Sequence, residues 1–406
     1  MKGWKLFKKR PPLGACFLIL FACLFAATGQ DVLCAEPVEA LTPQGVKVDH
    51  EILRGIHFIY ERQFDEAEDL FRNVITRRPG ESAGYFYLAM VSWARLAAGF
   101  WSPETVNAFE KRIDRAIEVA EAQIDNDRGD IYDFFYLGGA LGFKGRFELM
   151  KGNWISSFFL AKDAVDSLET CVEMDPGNKD VLFGIGTFDY YTARFSGIKK
   201  FLTYLLLHKG DKKEGLKKLT IASKEAVYSA TEAKSMLLHI YLFFEREFSK
   251  ALELGIELSR NYTKNPRFKV LEGVAYIRLG MDPQYRETVK TLLRKSAEAS
   301  SEERAAIWKR QALYLESIYD LFHGRCREAR STLRNILDHP DPQADPAMIA
   351  WPTLKMGMSY DLENNRDKAI PYYRQVLDME NGAGAQVLAS KFLETPPGKK
   401  DPFLGY

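Results

Sequence analysis

The sequence predicts an all-α protein, an α-solenoid of about eight helical hairpins whose middle members are elongated. Three observations carry that reading. A pattern of small and apolar residues at helical spacing recurs from Leu53 to about residue 381. Prolines at 79, 176, 266 and 346 fall where one hairpin would end and the next begin, positions that tolerate a missing amide hydrogen. The composition, 46% hydrophobic and 27% charged, belongs to a folded globular chain and excludes disordered, collagen-like and disulfide-scaffold classes.

The chain opens with an address. Lys2, Lys5, Lys8, Lys9 and Arg10 form a cationic stretch, followed by an apolar run over 13–27 and then small residues before Glu36 and Pro37. This is the layout of a secretory signal peptide at 1–35, and the run is shorter than the ~20 residues of a spanning helix. Ala27-Thr28-Gly29 and Ala35 both offer small residues for cleavage. Lipidation at Cys23 and an uncleaved anchor are the alternative outcomes of the same layout. Export to a bacterial periplasm or envelope is the expectation. Beyond residue 35 the chain carries 51 basic and 54 acidic residues, a balance that speaks against a general nucleic-acid binder. Of five cysteines only Cys171 and Cys326 lie well clear of the leader, about three repeats apart, so no disulfide framework is expected.

A lead-in at 36–48 precedes the repeats. Their clearest copy is Gly55, Phe58, Ala67, Phe71, Val74 and Pro79, and the last is Gly357, Tyr360, Ala369, Tyr373 and Val376. Between them stand Ala116 and Ala120; Ala164, Leu168 and Cys171; Gly215, Leu219 and Ala222; Ala251, Gly255 and Leu258; a faint copy near Leu292; and Ala329, Leu333 and Ile336. These spacings closely resemble the tetratricopeptide repeat over residues 49–381. The resemblance implies a right-handed superhelix, with a capping helix and polar tail over 382–406. A small residue on each helix lets two backbones approach, and stacked hairpins bury a continuous core. Asp65 and Asp211 stand in positions suited to capping the second helix of their hairpins.

Mid-helix small residues at Gly55, Ala89, Gly138 and Gly186 are spaced 34, 49 and 48 apart. Hairpins two to four therefore carry insertions, at 95–109, 144–158 and 194–210, read as longer helices or a small extra helix. The fourth hairpin concentrates Phe188-Asp189-Tyr190-Tyr191-Thr192-Ala193-Arg194. An apolar stripe over 198–208 comes next, among seven lysines between Lys199 and Lys218, which suggests either packing on a neighbouring helix or peripheral contact with a membrane. The 188–194 segment and Tyr262-Thr263-Lys264-Asn265-Pro266 look like those of exported bacterial tetratricopeptide proteins of unassigned function.

In such arrays the first helix of each hairpin faces the concave groove. The resemblance places there Ile56, Ile59 and Tyr60, then Phe86, Met90 and Trp93, with further aromatics from hairpins three to seven. An aromatic stripe of this kind either fills the groove or lines an open one. The family's carboxylate clamp needs Asn at the ninth position, and Ile56, Met90, Gly139, Thr187, Ile240, Val274, Ile318 and Met358 stand there instead. The candidate partner site is Tyr190, Tyr191 and Arg194 with Phe143, Phe243 and Phe244 beside them, because aromatics with Arg are enriched at binding hot spots.

No chemistry-bearing motif accompanies the repeats. The six histidines form no i, i+4 pair, and the chain has no nucleophile elbow, phosphate loop or calcium loop. Neither metal nor cofactor is expected, and the repeats leave no stretch long enough for a catalytic domain. The reading is a non-catalytic protein–protein interaction scaffold of the cell envelope, using its groove or the elongated middle hairpins. The alternative is a periplasmic carrier or sensor of an apolar, lipid-like ligand held in the aromatic groove.

Overall fold

A computed structural model of the protein describes residues 48–126, 129–194 and 210–398. These hold seventeen α-helices and no strand. In chain order α1 (His50–Tyr60) and α2 (Phe64–Arg77) form the first helix–turn–helix, and α3 (Ser82–Ala97) and α4 (Pro103–Asp125) the second. The third is α5 (Ile131–Met150) with α6 (Trp154–Met174), the fourth α7 (Val181–Thr192) with α8 (Lys212–Glu225). α9 (Ala230–Ile240) continues into a π-turn, Tyr241–Glu245, before α10 (Phe248–Asn261). Then come α11 (Pro266–Arg278) with α12 (Asp282–Ala297), α13 (Glu302–Phe322) with α14 (Cys326–Leu337), and α15 (Ala347–Asp361) with α16 (Arg366–Asp378). A last helix, α17 (Ala385–Glu394), lies within the stretch expected to cap the array.

The small residues act as the sequence predicts. A methyl group placed on Gly55 would fall inside the Phe71 ring of α2, and one on Gly357 inside the Tyr373 ring of α16. Gly138 meets Leu168, and Gly186 meets the backbone of α8. Phe71, Ala67, Tyr373 and Ala369 are fully buried. Gly55, Gly138 and Gly357 thus let a bulky side chain of the second helix lie against the backbone of the first, and Gly186 lets two backbones approach, at interior packing density.

Six of the first helices end in the same device. Arg62, Gly152, Arg246, Gly280, Gly324 and Asn364 adopt left-handed backbone, with φ between 53° and 79°. Glycine reaches that region without a Cβ penalty, whereas the two arginines hold it against one. In five of the six the next N–H then reaches back to a carbonyl five residues earlier, as in Gln63 N to Phe58 O (2.9 Å), Arg325 N to Asp320 O (2.8 Å) and Asn365 N to Tyr360 O (2.8 Å). This turn corrects one expectation. It starts α2 at Phe64, so Asp65 lies inside the helix, does not cap it, and pairs with Arg95 at 2.6 Å. Asp211 does cap α8, accepting from Lys213 N and Glu214 N.

The insertions of hairpins two and three are helix extensions: α4, α5 and α6 run 23, 20 and 21 residues against 11 for α1. Residues 195–209, including the 198–208 stripe, and the leader with Cys23 lie outside the described residues. Cys171 and Cys326 are free and buried. Burial raises the Cys171 thiol to about 12.

The chain divides into two compact units. Residues 48–95 and 103–275 form the first; 96–102 and 276–398 form the second. In the first unit the opening hairpin packs on the fifth. Tyr60 donates its hydroxyl proton to Glu232, Asp49 N donates to Tyr228 Oη (2.9 Å), and Lys264 Nζ donates to Gln63 Oε1 (3.1 Å). Tyr262 lies against His57 and Tyr60 with centroids 5.5 and 5.4 Å away. The Tyr262–Pro266 segment is therefore part of the closure of this unit. In the second unit Arg310 bridges Asp345 and Asp341, Asp361 receives Tyr373 and Arg366, and Asn381 Nδ2 reaches Gly99 O at 2.8 Å.

Candidate partner site

Closure settles what the inward-facing positions of the first unit do. Ile56, Ile59, Tyr60, Phe86, Met90, Trp93, Phe135, Met236 and Ile240 are all buried. Ring contacts run without a break from Phe71 through Tyr87, Tyr136 and Tyr132 to Tyr228, at centroid separations of 5.4 to 6.3 Å. The stripe fills the groove in this unit.

Four of the six candidate residues come together. Tyr190, on the last turns of α7, is fully buried and donates its hydroxyl to Glu245 Oε1 at 2.6 Å. Arg194, one turn further on, lies 4.6 Å over the Phe244 ring and 5.6 Å over that of Tyr190. Its Nη1 also reaches Glu245 Oε1 at 3.4 Å. Tyr191 is buried, stands edge-on to Tyr190 at 5.0 Å, approaches Phe244 at 6.3 Å and donates to Met236 Sδ at 3.5 Å. Phe243 instead faces His239 at 4.7 Å. Phe143 belongs elsewhere, packed on Trp93 (5.3 Å) and Phe86 (6.3 Å) with Arg146 over its face (5.3 Å).

Two residues that the sequence pattern does not single out complete the cluster. Glu245 accepts from Tyr190 and Arg194 and pairs with Lys212 Nζ at 2.7 Å. Burial works to raise its carboxyl, but the Lys212 and Tyr190 hydrogen bonds and the nearby Arg194 outweigh it and leave Glu245 below the usual carboxylate range. Burial, then the bond to Glu245, pushes the Tyr190 phenol well upward. A signal was present in the sequence: Tyr60-Glu61-Arg62-Gln63-Phe64 recurs as Phe244-Glu245-Arg246-Glu247-Phe248.

The π-turn explains how Glu245 gets there. Glu247 N bonds Tyr241 O at 3.0 Å, a span of six residues where the other five left-handed helix ends span five. One extra residue is accommodated, which rotates the next residues by about 100° around the helix axis. Phe244 and Glu245 face α7 as a result. Such insertions concentrate at functional sites.

Among the described residues no three metal-ligating side chains converge, and no helix is long and apolar enough to cross a membrane.

Residues 354–382, the second part of α15 with α16, match the family model of the tetratricopeptide repeat. The final hairpin is thus similar to a tetratricopeptide repeat, and the first hairpin shares its glycine-to-ring contact, Gly55 with Phe71 as Gly357 with Tyr373. No curated protein matches the chain.

Proposed function

We propose that the protein is an exported, non-catalytic interaction scaffold of the bacterial cell envelope that holds a protein partner on the elongated edge of its middle hairpins. A tetratricopeptide repeat suggests protein–protein interaction as the general task. The closure of the first unit carries the finer reading, because its groove is already occupied by its own side chains. Apolar surface is offered instead where the long hairpins project. Ile155 and Phe159, one turn apart at the start of α6, are 67% and 47% exposed. The signal-peptide layout at 1–35 supports export. In the Tyr190 cluster, the groups within reach of a partner are Arg194 and Lys212, 27% and 45% exposed.

Affinity purification of the exported protein tests the proposal. A reproducible partner should be retained by the natural chain and lost on Ile155→Asp with Phe159→Asp, at unchanged helix content. Recovery of no reproducible partner, or equal recovery by the variant, rejects the reading. Fractionation should place the protein outside the cytoplasm in processed form.

A further inference from the structure

The cluster around Glu245 holds one cation more than its carboxylate balances. Arg194 Nη1 and Lys212 Nζ both meet Glu245, at 3.4 and 2.7 Å, and the Tyr190 hydroxyl is a third donor. The Nε–Nη2 edge of Arg194 makes no hydrogen bond among the described residues. The guanidinium lies over the Phe244 and Tyr190 rings, which limits its movement, and the side chain stays 27% exposed. Lys212 opens α8, and the exposed Lys213 follows it. The exposed apolar pair of α6 stands at the same end of this unit. Gly184 of α7 lies against Leu168 of α6, and the two helices run antiparallel about the short connection at 175–180. From that contact, Arg194 along α7 and Phe159 back along α6 both lie about 14–15 Å toward one end. They are level, on neighbouring helices with axes about 8–10 Å apart.

From this placement we infer the chemistry of the partner: an acidic amphipathic helix that sets apolar side chains on Ile155 and Phe159 and a carboxylate on Arg194 and Lys212. The inference rests on the scaffold reading and names what that edge selects. A carboxylate can meet the Nε–Nη2 edge with both oxygens, and a guanidinium already settled on two rings loses little freedom in doing so. Its charge balances the cation that Glu245 leaves over. The distance between the two helices matches about two turns of a partner helix, so one face of that helix spans both contacts. Acidic groups of α6 set its direction. Asp163 and Asp166 are exposed and follow Ile155 and Phe159 on the same face, so an acidic helix crosses from α6 toward α8 and does not run along α6. The same two carboxylates repel anionic lipid and cut the apolar face short, which disfavours a membrane surface as the occupant.

Fluorescence anisotropy on the full chain tests this with two labelled peptides of about 20 residues, long enough to form an isolated helix. One is built of Leu, Ala and Glu with the leucines on one face; the other carries Gln at every Glu. The acidic peptide should bind saturably and lose affinity as salt is added. The Gln peptide should bind about tenfold or more weaker, since a charge-assisted hydrogen bond is lost. Arg194→Gln with Lys212→Gln should weaken the acidic peptide by a similar factor and leave the Gln peptide unchanged. Equal binding of the two peptides, no saturable binding of the acidic one, or undiminished binding by the variant overturns the inference. So does sedimentation of the protein with phosphatidylglycerol vesicles that depends on Arg194 and Lys212, which would make the occupant a lipid surface. If the variant fails to fold, the peptide pair on the natural chain decides alone. The scaffold reading fails separately: a partner lost on Ile155→Asp with Phe159→Asp but kept in full by Arg194→Gln with Lys212→Gln leaves that reading standing and overturns this inference alone.

Discussion

Tyr60, at the end of the first helix, gives its hydroxyl proton to Glu232, 172 residues later in the chain. That bond ties the opening hairpin to the fifth and separates this unit from an open solenoid, in which each hairpin touches only its neighbours. It is reinforced by Asp49 with Tyr228 and by Gln63 with Lys264. Closure converts a surface on which a partner could lie into an interior.

Removing the donor should be costly. Tyr60→Phe leaves the buried carboxyl of Glu232 without its hydrogen bond, a loss of about 1–3 kcal/mol for an unsatisfied buried group. Chemical denaturation of the variant checks this. A change within about 0.5 kcal/mol, as at an ordinary surface position, would mean that the bond does not hold the hairpins together.

The same carboxyl makes stability depend on pH. Burial raises the Glu232 value, with Arg146 and the Tyr60 bond opposing it. The folded chain then keeps this proton where the unfolded chain, near the ordinary value of about 4.3, has released it. In that interval the native state binds more protons, so the Glu232 contribution to stability falls as pH rises, and above the folded value its loss is complete. Glu232→Gln removes the titration. The variant should gain on the natural chain from about pH 4 upward to a plateau, measured as the difference in unfolding free energy across pH. A difference that stays flat or slopes the other way would show that Glu232 is not held above its ordinary value.

What the sequence made legible was local. Gly55 and Phe71, like Gly357 and Tyr373, are sixteen residues apart and meet within one hairpin, so a small residue facing a ring can be read from spacing alone. The helix extensions were legible for the same reason, since apolar periodicity ran through 95–109 and 144–158 without a turn signal long enough to break it. Closure was not, because Tyr60 and Glu232 belong to different hairpins and neither sits in a pattern that names the other. Phe143 shows the same gap. Its spacing marks it as inward-facing, but which inward residues it meets depends on closure, and it lies with Trp93 and Arg146. Asp65 was displaced by a single residue, the left-handed Arg62, whose conformation no side-chain pattern announces.

Packing at the repeat positions gives a direct check of the register. Ala369 is fully buried on α16, and Gly357 receives the Tyr373 ring. Ala369→Leu adds bulk where no space exists and should destabilise by about 1–3 kcal/mol or more through overpacking. The parallel change Ala67→Leu should behave alike. Thermal unfolding measures both, and a surface-like response at either position would place it on the wrong face of its helix.

The π-turn can be tested by removing the residue it accommodates. Deleting Phe243 restores an uninterrupted α-helical path between Ile240 and Arg246, which turns Glu245 by about 100° relative to α9. Glu245 then leaves Tyr190, Arg194 and Lys212, and the buried Tyr190 hydroxyl loses its acceptor. An unsatisfied buried hydroxyl and a broken charge cluster together should lower stability by roughly 2–4 kcal/mol. Glu245→Gln separates the two causes, since it keeps an acceptor for Tyr190 and removes only the charge; its cost should be within about 1 kcal/mol, as expected for partly exposed ion pairs. Hydrogen exchange at the end of α7 reports where the damage falls. Should the deletion be silent there and in denaturation, the extra residue would be slack in the hairpin and not the device that sets Glu245 against α7.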